Sequence, residues 1–154
     1  SVHIVGFGMN NEEIKYKNLA ADLGVEENYV WHGKLANTEV LSMMQKMDIF
    51  FFTSIMEATS TVTLEAIQNR LPIVCHDTCG FGNIVNNNIG RKIELKSPNE
   101  SVCDFATVIE ELYHDRDILE KMKPNFDKVA EGLTYEAKAE KMLKIYKKLA
   151  TNSK

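Results

Sequence analysis

Short runs of β-prone apolar residues alternate along this 154-residue chain with longer stretches in which apolar positions recur every three or four residues. That alternation is what βα units on a parallel sheet leave in a sequence. Val2 to Val5 predicts the first strand, and Asn10 with Glu13 three residues later predicts a capped helix that reaches Leu23 and is ended by Gly24. Tyr29 to His32, closed by Gly33, predicts the second strand. Asn37 to Met47 predicts the second helix, with Val40, Leu41, Met44 and Met47 on its apolar face. Asp48 to Thr53 is apolar without alternation, which fits a central strand covered on both faces. A third helix over Thr61 to Asn69 stops before Pro72, and Pro72 to His76 predicts a fourth strand with proline at its tolerated first position. Beyond Asp77, a loop carrying Gly80 and Gly82 leads to a short apolar turn at Ile84-Val85 and a fifth strand near Gly90 to Leu95. Ser97-Pro98-Asn99-Glu100 joins a cap, a proline at the first helical position and a glutamate at the third, the clearest helix start in the chain. Helices near Ser101 to His114, Asp117 to Glu131 and Tyr135 to Leu149 fill the remainder. In the last of them Ala139, Met142, Leu143, Tyr146 and Leu149 form one stripe, expected to pack against the sheet.

Composition narrows the class without changing this picture. Apolar residues make up 44% and charged residues 26%, the balance of an ordinary globular domain, so disordered, collagenous and disulfide-scaffold classes drop out. The length fits one domain. A net charge of -4, with 22 acidic and 18 basic residues scattered along the chain, offers no basic block for a nucleic-acid partner. Cys75, Cys79 and Cys103 are an odd number with no signal peptide ahead of them, which fits reduced thiols in a cytoplasmic setting. The apolar run Ile49 to Phe52 is far shorter than the roughly 20 residues of a membrane span. The chain opens directly on a strand, with neither initiator Met nor leader, and reads as an excised fragment.

In a parallel sheet, ligands sit beyond the carboxyl ends of the strands, so the residues after each strand are the candidates for chemistry. Gly6-Phe7-Gly8 follows the first strand and serves equally well as a close approach to a phosphate or sugar or as a tight strand-to-helix turn. A dinucleotide fingerprint is disfavoured, because Asn11 occupies the place of its third small residue and Glu26 precedes a strand instead of ending one. After the third strand, Thr53 to Ser60 forms a loop of small and hydroxyl residues that enters a helix, whose first amides and dipole favour a diphosphate without a metal. Glu57 in that loop and Glu65 in the helix have hydroxyls of a ribose or sugar as natural targets. By spacing alone, the reading of Glu57 as a helix N-terminal charge and Glu65 as a solvated surface residue is the favoured one. Cys75 and Cys79 are too isolated for a zinc site, and His3 and His76 read as satisfied strand residues.

Taken in order, these pieces resemble the C-terminal domain of retaining glycosyltransferases of the GT-B architecture, in the family called group 1 or family 4. The resemblance runs from Val2 to about Leu149. It rests on Ile4-Val5-Gly6-Phe7-Gly8, Leu23-Gly24-Val25, Val30-Trp31-His32-Gly33, Met47-Asp48-Ile49-Phe50, the pair Glu57 and Glu65 with seven residues between them, Glu65-Ala66-Ile67 and Leu71-Pro72-Ile73-Val74. It implies a Rossmann-like parallel sheet flanked by helices, the C-terminal half of a GT-B fold. Residues 1–150 are then a nucleotide-sugar donor-binding domain lacking its N-terminal acceptor domain, and residues 151–154 a tail. The implied activity of the parent is transfer of a sugar from a nucleotide diphosphate sugar to a hydroxyl acceptor with retention, in cell-surface polysaccharide or glycolipid synthesis. The parent would be cytoplasmic, at the inner membrane face.

The resemblance also implies roles. Glu65 holds the ribose hydroxyls. Glu57 contacts the transferred sugar and is the catalytic candidate. Backbone from Thr59, Ser60, Thr61 and Val62 cradles the diphosphate, Gly8 permits close approach, and Gly33-Lys34-Leu35 meets the nucleobase through main chain. No metal or other cofactor is expected. The chain departs from the family pattern at Ser60, where glycine is common, and at Asn83, where glutamate is common. The basic residues that neutralise the diphosphate are expected upstream of Ser1, so the isolated chain should bind donor weakly and catalyse little or nothing. Two other readings are a GT-B-like nucleotide-sugar epimerase domain, which needs no acceptor, and a non-catalytic nucleotide-binding or interaction module.

Overall fold

In a computed structural model, residues 1–6, 8, 12–57 and 60–152 are described, apart from the side chain of residue 152. Asn10, expected to cap the first helix, lies outside them, as do Phe7 and Asn11. The chain divides into two compact units, Ser1–Met43 and Met44–Lys154.

In the first unit, β1 (Val2–Val5) pairs in parallel with β2 (Tyr29–Gly33), Val2 opposite Tyr29 and Ile4 opposite Trp31, with a register shift before Val5 meets Gly33. Between them runs α1 (Glu12–Asp22). It closes in a Schellman motif, in which Gly24 N–H bonds the carbonyl of Ala21 and Val25 N–H that of Ala20. Helix α2 (Asn37–Met44) is one turn shorter than its periodicity suggested. Its start is fixed by the Glu39 carboxylate, which accepts the Ala36 N–H at 2.8 Å.

The second unit is built on three parallel strands in the order β3 (Phe50–Phe52), β4 (Ile73–His76), β5 (Gly90–Ile93). The sequence pointed to the phenylalanine run as the central strand. Within this sheet it is an edge, with Phe51 43% exposed, and β4 is the buried centre, with Ile73, Val74 and Cys75 fully covered. Gly90 is obligatory in the β4–β5 pairing: a Cβ there would lie 2.0 Å from the Ile73 carbonyl oxygen.

Helix α3 (Thr61–Gln68) leaves β3 and packs against α7 (Phe126–Glu131) through a face that buries Thr63, Ala66 and Ile67. The segment after β4, expected as a loop, instead winds into the short helix α4 (Cys79–Ile84), with Phe81 edge-on to Phe52 at 5.0 Å. Helix α5 (Pro98–His114) begins with the full capping box: Ser97 accepts the Glu100 N–H, and Glu100 accepts the Ser97 N–H. Phe105 and Leu112 of α5 close over Val74 and Ile93, together with Leu119 of α6 (Asp117–Met122). The expected single helix over Asp117 to Glu131 is split by a 3-10 turn at Lys123–Asn125. Pro124 lacks the donor that would continue an α-helix through this point. Helix α8 (Tyr135–Asn152) departs most from expectation: its stripe does not pack on the sheet, and none of its described residues is buried.

Candidate functional site

In the second unit, the carboxyl ends of β3 and β4 present two segments that the structure ties together. Thr53 to Glu57 leaves β3, and Asp77 to Cys79 leaves β4. The Thr78 hydroxyl donates to the Ile55 carbonyl at 2.9 Å, and the Cys79 thiol reaches the same carbonyl at 3.8 Å. Glu57 is half-buried, and Ser54 Oγ donates toward its carboxylate at 3.5 Å. Behind this pair, Lys92 Nζ bonds both the Asp77 carboxylate at 2.8 Å and the Gly82 carbonyl at 2.9 Å, pinning the end of β4 to β5 and α4.

The thiol of Cys79 is exposed and its backbone is left-handed, with φ 54°. Hydrogen bonding from the Thr78 hydroxyl, then from the Glu57 backbone, holds it below its ordinary pKa, against the opposing effects of burial and the Glu57 carboxylate. Cys75, four residues earlier within β4, is the reverse case: burial pushes its thiol up to about 11 despite the nearby Lys92. His76 is 4% exposed, packs edge-on to Phe105 at 4.9 Å, and has no partner for Nδ1 among the described residues. The expectation of a satisfied strand histidine therefore holds for His3, whose Nδ1 lies 2.9 Å from His32 Nε2, and fails for His76.

At the head of α3, Ser60 is the N-cap: its Oγ accepts the Thr63 N–H at 3.3 Å and sits 2.6 Å from the Thr63 hydroxyl. Both residues are buried. Ser60 thus spends its hydroxyl inside the protein, and what it leaves for a ligand is backbone. Thr61 is exposed and Val62 half-buried in the first turn, where amides have no intrahelical acceptor. Glu65 follows at the start of the second turn, half-buried, and its carbonyl receives both the N–H and the side-chain amide of Asn69. Thr59 lies outside the described residues. Asn83, on α4, is exposed and its side-chain amide donates to the Cys79 carbonyl at 3.3 Å.

The remaining candidates lie in the first unit. Gly33 ends β2 with φ 63°, a left-handed conformation suited to glycine, and its carbonyl accepts the Gly6 N–H at 2.8 Å. Lys34 is exposed and Leu35 half-buried just beyond it. At Gly8 a Cβ would lie 2.9 Å from that of Glu12, so the entry to α1 is closed to larger residues without a shift. Thr78 and Cys79 were not singled out as site residues from the sequence. Their position directly after a strand was the available signal. Among the described residues, no three His, Cys, Asp or Glu side chains converge as metal ligands would, and no helix is long and apolar enough to cross a membrane.

Comparison with known proteins brings these elements under one family. The profile of the family described as glycosyl transferases group 1 matches residues 1–129. No curated protein sequence matches the chain. Among solved structures, the chain is similar to WaaG, a glycosyltransferase involved in lipopolysaccharide biosynthesis, at 24% identity and a TM-score of 0.71, over 84% of this chain and 33% of that one. It is similar to Anabaena HepE, solved in complex with UDP, at 19% identity and a TM-score of 0.71, over 97% of this chain and 40% of that one. The C-terminal domain of a group 1 family glycosyl transferase from Francisella tularensis matches at 18% identity and a TM-score of 0.67, over 82% of this chain and 65% of that one. The chain spans about a third of the length of the first of these. The match over most of the chain makes it a member of the group 1 glycosyl transferases, and its parallel strands flanked by helices have the fold of a GT-B C-terminal domain.

Proposed function

We propose that the chain is the nucleotide-sugar donor-binding domain of a retaining glycosyltransferase that moves a hexose-type sugar to a hydroxyl acceptor. The observation that carries this reading is the placement of Glu57 and Glu65 on either side of the start of α3, in a chain of this family. Residues 1–150 act together as the donor domain, residues 151–154 are a tail, and the acceptor is held by a separate domain of the parent. The parent works in the cytoplasm at the inner membrane face, on growing polysaccharide or lipid-linked sugar.

Amides of the first turn of α3 and the backbone of Thr59 and Ser60 face the diphosphate, where the helix dipole favours negative charge. As the bond from the anomeric carbon to the diphosphate breaks, that charge grows, and fixed dipoles stabilise it without reorganising. No metal is required. The Glu65 carboxylate accepts the ribose hydroxyls, and Glu57 accepts hydroxyls of the transferred sugar and holds it for substitution with retention. Gly8 allows the donor close approach, and the main chain of Gly33, Lys34 and Leu35 meets the base.

Because HepE was solved with UDP, UDP is the first nucleotide to titrate, beside GDP and ADP, with backbone amide signals as readout. At millimolar concentration one of them is expected to shift signals near Gly33 and Thr59 to Val62. Glu65→Ala should weaken that binding by about tenfold or more, the worth of hydrogen bonds to a carboxylate. Glu57→Ala should affect mainly the sugar portion of the donor. Silence at all these amides, or equal UDP binding by wild type and Glu65→Ala, would overturn the assignment.

A further inference from the structure

Thr78 stands at the N-cap of α4, with extended backbone at φ -141° and ψ 163°, and its side chain caps nothing. A threonine at such a position ordinarily turns its oxygen back to an amide of the first helical turn. Here the hydroxyl leaves its own helix and donates to the Ile55 carbonyl at 2.9 Å, 23 residues earlier in the chain. It carries a single proton, and that carbonyl is nearer, and a stronger acceptor, than the Cys79 sulfur at 3.2 Å. The two ends of this bond differ in how firmly they are held. On the Thr78 side, Asp77 N–H bonds the Ile93 carbonyl at 2.7 Å, Gly82 N–H bonds the Thr78 carbonyl at 2.9 Å, and Phe81 of α4 is buried. On the other side, Ile55 is 56% exposed and Met56 84%, so apolar packing of these two side chains does little to fix the chain on the approach to Glu57.

We propose that Thr78 is a positioning residue for Glu57: its hydroxyl holds the main chain at Ile55 so that the Glu57 carboxylate meets the sugar portion of the donor. This deepens the donor-domain reading and rests on it. Ile55 lies between Glu57 and Ser54, whose Oγ donates toward the Glu57 carboxylate at 3.5 Å, so fixing one carbonyl sets both the carboxylate and the group that orients it. A carboxylate that selects sugar hydroxyls by direction needs such a fixed base, because hydrogen bonds weaken steeply away from linearity. The start of α3 is set instead by its Ser60 cap, in which the Thr78 hydroxyl has no part. Thr78 therefore acts on the sugar and leaves the contacts to diphosphate and ribose alone.

The test is titration of the whole chain with UDP, GDP and ADP and with the glucose ester of each, followed at the backbone amides of the first turn of α3. The ratio of ester to diphosphate affinity isolates the sugar contribution. Thr78→Val, of the same shape without the hydroxyl, should lower that ratio by about fivefold, the worth of one hydrogen bond, while diphosphate affinity stays within about twofold of wild type. Thr78→Ser restores the hydroxyl and should restore the ratio. Adding Thr78→Val to Glu57→Ala should lower the ratio no further, because the one residue acts through the other. Thermal unfolding checks that each variant is folded at the titration temperature, and Thr78→Ala carries the same expectation if the valine variant does not fold. An unchanged ratio overturns the proposal, as does an equal loss for diphosphate and ester, a serine variant that behaves as valine does, or a full further loss in the double variant. Absence of diphosphate binding by the wild-type chain is the failure of the donor-site reading itself and takes this inference with it; diphosphate binding with an unchanged ratio sinks this one alone.

Discussion

Replacing Ser60 by alanine tests whether its hydroxyl serves the fold or a ligand. Two contacts are lost at once. The cap to the Thr63 N–H at 3.3 Å is worth about 1 kcal/mol. The Thr63 hydroxyl, 2.6 Å from Ser60 Oγ in a residue only 1% exposed, is left with no partner at that distance, which costs about 1–3 kcal/mol. Together they amount to about 2–4 kcal/mol, enough to move a urea midpoint by about 1–2 M for a slope near 2 kcal/mol per molar. Thr63→Val removes the stranded group in advance. The double variant should therefore lose less than the sum of the singles, with a coupling of about 1 kcal/mol. Urea unfolding followed by circular dichroism gives all three numbers. UDP binding by Ser60→Ala, measured well below its midpoint, should stay within about twofold of wild type, because the hydroxyl is already engaged and the backbone is unchanged. A loss of affinity of tenfold or more with stability and coupling unchanged would refute the reasoning, and Ser60 Oγ would then be a donor contact.

Three further outcomes follow from packing and burial. Gly90→Ala places a Cβ on the Ile73 carbonyl, backbone against backbone, so β4 and β5 must part; a loss of about 3 kcal/mol or more, or insoluble protein, is expected, and an unchanged thermal midpoint would contradict the register. Iodoacetamide should modify the exposed Cys79, whose thiol is held below its ordinary pKa, in the folded chain, with Cys75 protected by burial until the chain unfolds. The same burial gives a pH dependence of known sign. The unfolded thiol of Cys75 ionises near 9.0 and the folded one near about 11, so the stability from keeping it neutral is complete below pH 9.0 and is lost as pH rises through 11. Unfolding curves that strengthen over that interval in wild type, relative to Cys75→Ala, would contradict it.

Local chemistry made much of this fold readable. The start of α5 follows from four residues, because each group of the capping box is satisfied by another within three positions. Burial was less readable. Asp48 to Thr53 and Pro72 to His76 are both apolar runs, and nothing in composition says which will have neighbours on both sides; the strand order decides, and it favours β4. Pro124 was visible, but its effect on a helix that runs on as α7 appears only once Phe126 is fully buried and demands its own orientation. The stripe on α8 was read correctly as a stripe, yet periodicity says only that a face is apolar. For the site, the glutamate pair and the helix entry were legible as an ordered pattern. The bond from Thr78 to Ile55 was not, because it joins residues 23 positions apart through a sheet register that no local signal encodes. Ser60 shows the same limit, since a serine before a helix can cap it or face a ligand, and burial selects the cap.

The left-handed backbone at Cys79 has a consequence for what this position can become. A side chain there carries about 1–2 kcal/mol of strain relative to glycine. Glycine would relieve it, and in the same step would remove the thiol that lies against Ile55. Larger replacements keep the strain and crowd the Glu57 segment. The position thus sets a conflict between ease of folding and the surface it offers: the substitution that relieves the strain at the start of α4 also erases the thiol exposed there.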